Sequence, residues 1–248
     1  MTTNPDTQLY IDGAWRTTGD DLPVIDPATG QEVSRVAVAG AGDLDDALAA
    51  AVAGFETWRA TPPRERSRVI LAATALLRSR QEEIAHAITR ENGKPLGEAR
   101  AEVIRGVEFF EWDAGEAMRT YGRVIPSGPD SRNVVHHQPI GPVAAFSPWN
   151  FPVSQPARKL AGALASGCSI ILKAAEETPA GAAHIARAFH EVGLPPGVLN
   201  LVFGVPDEIS RHLIPSEAIR LVAFTGSTVV GRPPTTNPAR GARARVSE

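Results

Sequence analysis

The sequence predicts an α/β protein built on an incomplete, doubly wound parallel sheet. From residue 140 onward, four short apolar runs alternate with three helical patterns. The runs cover 143–146, 169–173, 199–203 and 220–224, and the helical patterns cover 153–166, 179–192 and 206–214. This alternation is typical of parallel strands joined by right-handed crossover helices. The predicted sheet is therefore Rossmann-like.

The first 120 residues predict a small hairpin and a helical segment that pack on this sheet. Residues 9–15 contain Asp12-Gly13, a dipeptide that favours a tight hairpin turn, and 32–37 form a further strand. Asp43 is the residue type expected at the N-cap of a helix that ends near Trp58. Three more helices follow, through 69–77, at 81–90 and at 96–120. Their apolar stripes indicate packing and not chemistry.

Residues 121–139 predict a bridging hairpin, with strands at 123–125 and 133–136 and a turn at 127–130. The alternating unit then occupies 140–231. The tail, 232–248, contains four Arg, three Pro and, apart from Val246, no large aliphatic or aromatic side chain. Such a segment buries too little surface to order itself, so the tail is predicted to be disordered.

Composition and charge exclude several classes of function. Hydrophobic residues make up 43% and charged residues 21%, and a net charge of −3 gives no reason to expect nucleic acid or an anionic membrane as a partner. No signal peptide is recognisable, and the longest apolar window is too short to span a bilayer. One cysteine fits a reducing compartment, and the six histidines lack ligand spacing. We expect a soluble cytoplasmic protein without a metal.

One stretch carries the strongest chemical signal: Pro139-Ile-Gly-Pro-Val-Ala-Ala-Phe-Ser-Pro-Trp-Asn-Phe-Pro152. An apolar strand runs into a loop that Pro148 and Pro152 stiffen, and a helical pattern follows. This arrangement places side chains and helix N–H groups at the carboxyl end of a strand. Open α/β sheets bind their ligands there.

Four motifs in register resemble the NAD(P)-dependent aldehyde dehydrogenase superfamily, in particular its succinate-semialdehyde dehydrogenases. They lie at 147–152, 167–179, 193–200 and 224–228, and the resemblance covers about 9–231. It implies a partial dinucleotide-binding domain at 140–231, an NAD cofactor in preference to NADP, and a small-molecule aldehyde substrate. It also implies that the 121–139 hairpin bridges domains and supports a homo- or hetero-oligomer.

The resemblance assigns roles to individual residues. The Asn150 amide would stabilise the oxygen anion that develops during aldehyde oxidation. Phe151 and Arg158 would lie at the substrate site, with Arg158 holding a substrate carboxylate. Lys173 and Glu176 would bind the adenosine ribose, and Glu176 would repel a 2′-phosphate. The full set of implied cofactor contacts is Ser147, Pro148, Trp149, Lys173, Glu176, Gly226 and Ser227.

Residue chemistry alone leaves simpler roles open. Asn150 also suits a helix cap, and Arg158 a helix surface. Lys173 and Glu176 could form an exposed salt bridge. Cys168 is the only thiol; it stands in an apolar setting without an activating base, so it is predicted to be packed and not nucleophilic.

The family's nucleophilic Cys and general-base Glu belong to motifs that follow the point where this resemblance ends. The chain is therefore predicted to be an N-terminal half, truncated and inactive alone. Two alternatives are a non-catalytic nucleotide-binding or regulatory fragment and a non-functional gene remnant. Pro233 and Pro234 would end a helix that starts near Gly226, so the phosphate site is expected to be half complete.

Overall fold

The structure is a computed structural model that describes residues 4–226 and 244–247. Its strands are β1 Leu9–Ile11, β2 Ala14–Arg16, β3 Asp21–Ile25, β4 Glu32–Ala37, β5 Arg123–Ile125, β6 Asn133–Val135, β7 Val143–Phe146, β8 Ile170–Lys173, β9 Leu199–Val202, β10 Leu221–Phe224 and β11 Ala244–Ser247. Its helices are α1 Ala41–Ala60, α2 Pro63–Ser79, α3 Gln81–Asn92, α4 Leu96–Ala117, α5 Ser154–Ser166, α6 Pro179–Glu191 and α7 Pro206–Leu213.

The main sheet has the strand order β11-β10-β7-β8-β9-β1-β2. The strands from β11 to β9 pair in parallel, with Val143 opposite both Ile170 and Leu221. Every residue of β7, β8 and β9 is buried, as continuous apolar runs require in a parallel sheet. The predicted α/β fold with a parallel sheet is confirmed. Strands and helices between 143 and 224 end within one residue of their predicted bounds.

The N-terminal hairpin belongs to the main sheet. β1 pairs antiparallel with β9 and with β2, so the hairpin extends the sheet and does not merely pack on it. Asp12 and Gly13 have φ values of 51° and 76°, the left-handed pair that a type I′ turn requires. The Asp12 N–H donates to Asn200 Oδ1 at 3.0 Å, and Asn200 Nδ2 donates to the Gly197 carbonyl at 2.9 Å. Asn200 thus joins the turn to the loop before β9.

Two local details of this region differ from the sequence prediction. β3 was not predicted, because Pro23 lowers strand propensity; proline is tolerated there since β3 pairs only with β4 among the described strands. Asp43 is not the N-cap of α1. The helix begins at Ala41, and the Asp43 carboxylate accepts a hydrogen bond from the Gly40 N–H at 3.0 Å.

The predicted bridging hairpin forms as an antiparallel pair of β5 and β6. Its apolar side chains Val124, Ile125 and Val134 are exposed. Exposed apolar side chains on a two-stranded ribbon are typical of a surface that another element covers. Oligomerisation through this hairpin stays a prediction.

Part of the predicted disordered tail is a strand. β11 pairs in parallel with β10, residue for residue from Leu221–Ala244 to Phe224–Ser247. The sequence argument counted side-chain burial, whereas strand addition also draws on the unpaired backbone groups at the edge of β10. The prediction of disorder is therefore wrong for 244–247, and β10 is not the edge of the sheet. The rest of 232–248 lies outside the described residues.

The helices before the hairpin pack closely on the α5 side of the sheet. Gly106 of α4 allows this approach, because a Cβ there would lie 2.8 Å from Val153 Cγ1. Buried residues of α1, α2, α3 and α4 join those of β7, β8 and β9 in one hydrophobic core. Among the helices that the structure describes, none is long and apolar enough to cross a membrane.

Candidate functional site

A pocket of about 570 Å³ opens at the carboxyl ends of β7, β8 and β10. Phe146, Lys173 and Phe224, the last residues of these strands, all line it. The start of α7 forms the opposite wall with Val205 and Pro206. This is the end of the sheet at which doubly wound folds bind ligands.

The structure gathers the predicted cofactor residues in this pocket. Six of them line it: Ser147, Pro148, Trp149, Lys173, Glu176 and Gly226. The seventh, Ser227, lies outside the described residues. Residues 77 positions apart in the sequence, such as Trp149 and Gly226, therefore share one pocket.

Lys173 and Glu176 form an ion pair at the pocket wall. Lys173 Nζ donates to Glu176 Oε2. The pair is not the exposed salt bridge of the simpler interpretation, since the side chains retain only 6% and 18% of their exposure. A buried ion pair loses hydration, and further hydrogen bonds to its free oxygen or protons stabilise it. A polar ligand in the pocket could supply those bonds.

Negative charge predominates in the pocket lining. Glu176, Glu177 and Asp207 carry carboxylates, and Lys173 carries the only positive charge among the lining residues that the structure describes. Asp207 also pairs with the exposed Arg211 at 2.9 Å. This balance disfavours an extra phosphate group near Glu176.

Two further features fit a nucleotide. Ser147 Oγ is buried and has no hydrogen-bond partner among the described residues, although a buried hydroxyl ordinarily finds one. The Ser147 N–H already donates to the Lys173 carbonyl at 3.1 Å. Apolar side chains of Ile214, Val222 and Phe224 line the same pocket. An apolar wall with a few convergent polar groups is the usual composition of a cofactor site.

Asn150 lies exposed in the loop between β7 and α5 and does not cap the helix. The N–H groups of Val153 and Ser154 donate instead to Glu102 Oε1, at 2.8 and 3.1 Å. Lys94 Nζ donates to the Asn150 carbonyl oxygen at 2.8 Å. Within residues 4–226, the Asn150 side-chain amide makes no hydrogen bond. The helix-cap alternative is wrong, and the amide is available to a ligand.

Comparison with known proteins decides the family. The sequence profile of the aldehyde dehydrogenase family matches residues 15–246. The chain belongs to the aldehyde dehydrogenase family. The match continues past Gly231, so the motif-based limit at that residue was too short; sparse motifs underestimate an extended similarity.

Two curated relatives illustrate the family members that this chain resembles. A 4-(hydroxymethyl)benzenesulfonate dehydrogenase of Comamonas testosteroni is 49% identical over 228 residues, which are 91% of this chain and 48% of that protein. A mitochondrial succinate-semialdehyde dehydrogenase of Arabidopsis thaliana is 42% identical over 229 residues, which are 91% of this chain and 43% of that protein. The chain thus spans about half the length of the curated relatives it matches.

Solved structures agree in fold. An NADP-dependent enzyme of E. coli has a TM-score of 0.91 and 37% identity, over 92% of this chain and 48% of that one. An NAD+ complex of an aldehyde dehydrogenase from Bacillus cereus has a TM-score of 0.89 and 34% identity, over the same shares. An NADP-dependent enzyme and an NAD+ complex of an aldehyde dehydrogenase therefore share this fold.

In this aldehyde dehydrogenase chain, the predicted substrate residues do not line the 570 Å³ pocket. Phe151 is 42% exposed, with Lys94 Nζ 4.5 Å from its ring centroid. Arg158 is exposed on α5, with its guanidinium carbon 5.8 Å from the Phe109 ring centroid. It lines a separate cavity of about 270 Å³ that also contains Cys168. Asn150 lines neither this cavity nor the 570 Å³ pocket.

Cys168 is buried, as predicted, with 3% of its surface exposed. Ser166 Oγ lies 3.5 Å from its Sγ, and the thiol does not line the nucleotide pocket. No group of three or more His, Cys, Asp or Glu side chains in the described ranges is placed to hold a metal ion.

The sequence prediction missed the side chains that hold the 147–153 loop. Asn92 Nδ2 and Thr178 Oγ1 donate to the Trp149 carbonyl at 3.0 and 3.1 Å. Glu102 holds the end of the loop, and Lys94 holds its middle. One signal was present: Glu102 is a carboxylate at a buried position of α4, beside Ala99 and Val103. A buried carboxylate requires a partner.

Proposed function

We propose that this chain forms the cofactor-binding part of an NAD-dependent aldehyde dehydrogenase that oxidises an aldehyde to a carboxylate. The observation that carries this proposal is the single pocket lined by six of the predicted cofactor residues, including the buried Lys173–Glu176 pair. Family membership supports the aldehyde-oxidising chemistry. A reducing, cytoplasmic location agrees with the single cysteine.

The residues of the pocket would bind and orient the dinucleotide. Glu176 would accept hydrogen bonds from ribose hydroxyls, and Lys173 would donate to them. The Ser147 hydroxyl, which is buried without a partner in the described structure, would bond a polar atom of the ligand. The dinucleotide held by these residues would supply the hydride acceptor. Asn150, whose amide is free to donate, would stabilise negative charge on the aldehyde oxygen.

NAD is favoured over NADP by the carboxylates of the pocket. A 2′-phosphate on the adenosine ribose would approach Glu176, with Glu177 and Asp207 in the same lining. Opposed by one ammonium group, these like charges would raise the free energy of the bound phosphate. The fold itself accommodates both cofactors, so charge is the discriminating property.

A small aldehyde that carries an anionic group is the favoured substrate class. The names of both curated relatives contain such a group, a sulfonate in one and the carboxylate of succinate semialdehyde in the other. Arg158 is the side chain proposed to bind it, since a guanidinium pairs with either anion through two parallel hydrogen bonds. A semialdehyde is one member of this class.

A second candidate function is nucleotide binding without catalysis by the 248 residues alone. The one cysteine of the chain is buried beside the 270 Å³ cavity and does not line the nucleotide pocket. A thiol nucleophile must be accessible and activated as a thiolate. The chain would then act as a binding or regulatory fragment.

Isothermal titration calorimetry of the whole chain with NAD and NADP tests the nucleotide site. We expect NAD to bind more tightly than NADP. Glu176→Ala should lower the affinity for NAD by about tenfold and should reduce the difference in affinity between NAD and NADP. Glu217→Ala, at an exposed position away from the pocket lining, is the matched control and should bind both like the wild type. Absence of binding by either dinucleotide would overturn the proposed function, and tighter binding of NADP would overturn the cofactor preference alone.

A further inference from the structure

A buried ion pair beside the 147–153 loop is also hydrogen-bonded to the backbone of that loop. Lys94 follows α3, and its Nζ lies 2.5 Å from Glu102 Oε2 on α4. The two side chains retain 10% and 2% of their exposure. Lys94 donates a second bond to the Asn150 carbonyl, and the other oxygen of Glu102 accepts two N–H groups at the start of α5. The pair is therefore hydrogen-bonded to the backbone before and after Phe151.

We propose that Lys94 is a positioning residue that sets the orientation of Asn150, with Glu102 as its anchor. This inference rests on the proposed oxyanion role of Asn150. The side-chain amide of Asn150 has no hydrogen bond to the described residues, so its position depends on how the loop backbone is held. Among the described residues, Lys94 is the side chain that donates a hydrogen bond to the Asn150 backbone.

Neighbouring groups restrict the movement of Lys94 and Glu102 and so keep the Lys94–Asn150 hydrogen bond in place. Lys94 Nζ also lies 4.5 Å from the centroid of the Phe151 ring, a cation–π distance. Glu102 is held by the Val153 and Ser154 N–H groups, so it cannot follow Lys94 away from the loop without leaving two helix N–H groups unbonded. Side chains that support a reactive group in this way keep it within the narrow range of geometry that catalysis needs.

Nuclear magnetic resonance of the isotope-labelled whole chain tests this role without a turnover assay. The readouts are the carbonyl carbon shift of Asn150, its side-chain amide resonances and the midpoint of urea unfolding. In Lys94→Met we expect the Asn150 carbonyl shift to move and the unfolding midpoint to fall. Lys159→Met, which removes another lysine and its bond to Thr225 on the same side of the molecule, should leave the Asn150 signals unchanged.

A double variant separates positioning from simple charge pairing. Lys94→Met with Glu102→Gln removes both buried charges, so stability should recover relative to Lys94→Met. If Lys94 positions Asn150, the Asn150 signals stay displaced in the double variant; Lys94→Arg, which keeps the charge and the donors, should restore them. Return of the Asn150 signals to wild-type positions in the double variant would overturn the proposal. The titration with NAD is a separate measurement. Failure of nucleotide binding would count against the proposed function, whereas the Asn150 signals of the variants test the positioning role independently.

Discussion

The indole nitrogen of Trp58 donates a hydrogen bond to the carbonyl oxygen of Leu164 across 2.8 Å, joining α1 to the last turn of α5. The neighbouring Ala165 carbonyl accepts a bond from Arg66 Nε at 3.2 Å. The last carbonyls of a helix have no partner in the next turn of the helix. The Leu164 carbonyl also accepts the Gly167 N–H at 3.1 Å, so Trp58 supplies it with a second hydrogen bond. The N-terminal helices therefore hold the C-terminal end of α5, the helix that follows the 147–153 loop.

Trp58→Phe is expected to lower the free energy of unfolding by about 1–3 kcal/mol, because a buried indole hydrogen bond is lost and the smaller ring leaves part of the Trp58 site empty. Trp112→Phe is the matched control, since Trp112 is 70% exposed, and it should change stability by less than about 0.5 kcal/mol. Urea unfolding followed by circular dichroism measures both. Equal effects of the two substitutions would contradict a specific role for the Trp58 bond.

Two buried groups give stability opposite dependences on pH. Burial raises the pKa of Glu91 to about 7, although bonds from Ala180 N–H and Asn4 favour its charged form. The folded state then binds more protons than the unfolded state between about pH 4.5 and 7, so stability falls as pH rises. Burial lowers the pKa of His184 to about 4. The unfolded state binds more protons between about pH 4 and 6.5, so this contribution rises with pH.

Each contribution amounts to roughly 3 kcal/mol, so they largely cancel between about pH 4.5 and 6.5 in the wild type. Glu91→Gln should remove the falling contribution and leave stability that rises with pH across this window. His184→Phe should leave stability that falls. Urea unfolding at several pH values measures the slopes, with the exposed Glu98→Gln as the control. Identical slopes in all four proteins would refute the assignment.

An element of the fold could be predicted where the interactions that stabilise it leave a pattern in the local sequence. β7 to β10 and their helices were found because buried parallel strands read as apolar runs, and crossover helices carry apolar stripes. β3 and β11 were missed because backbone pairing forms them against the local composition. The start of α1 was predicted about three residues too late, because Asp43 accepts the Gly40 N–H from within the first turn of the helix and not from the cap position.

The candidate site divides in the same way. The residues that line the pocket were found from a motif resemblance, which links positions such as Trp149 and Gly226 without knowledge of their distance. The supports from Asn92, Lys94 and Glu102 lie about 50 residues earlier in the chain, and no local pattern connects a helix end to a distant loop. Only the three-dimensional contacts relate them.

The isolated chain is expected to show no NAD-dependent oxidation of propanal or succinate semialdehyde, because its single thiol is buried away from the nucleotide pocket. Absorbance of reduced cofactor measures this directly. Cys168→Ser should leave NAD binding unchanged, apart from a modest loss of stability. Turnover that disappears in Cys168→Ser would contradict the assignment of Cys168 as a packed residue.

AMP and NAD are expected to bind with affinities within about threefold of each other. In the proposed function, the pocket residues Lys173 and Glu176 bind the adenosine ribose, which both ligands carry. Beyond Gly226, Pro233 and Pro234 in the sequence predict that any helix able to present N–H groups to the second phosphate would be short. Lys173→Met should weaken AMP and NAD by the same factor, whereas Arg68→Met, at an exposed position outside the pocket lining, should weaken neither. Calorimetry with both ligands tests this expectation. If NAD bound far more tightly than AMP, the pyrophosphate and nicotinamide site would be complete, and the prediction of a half-complete phosphate site would be wrong.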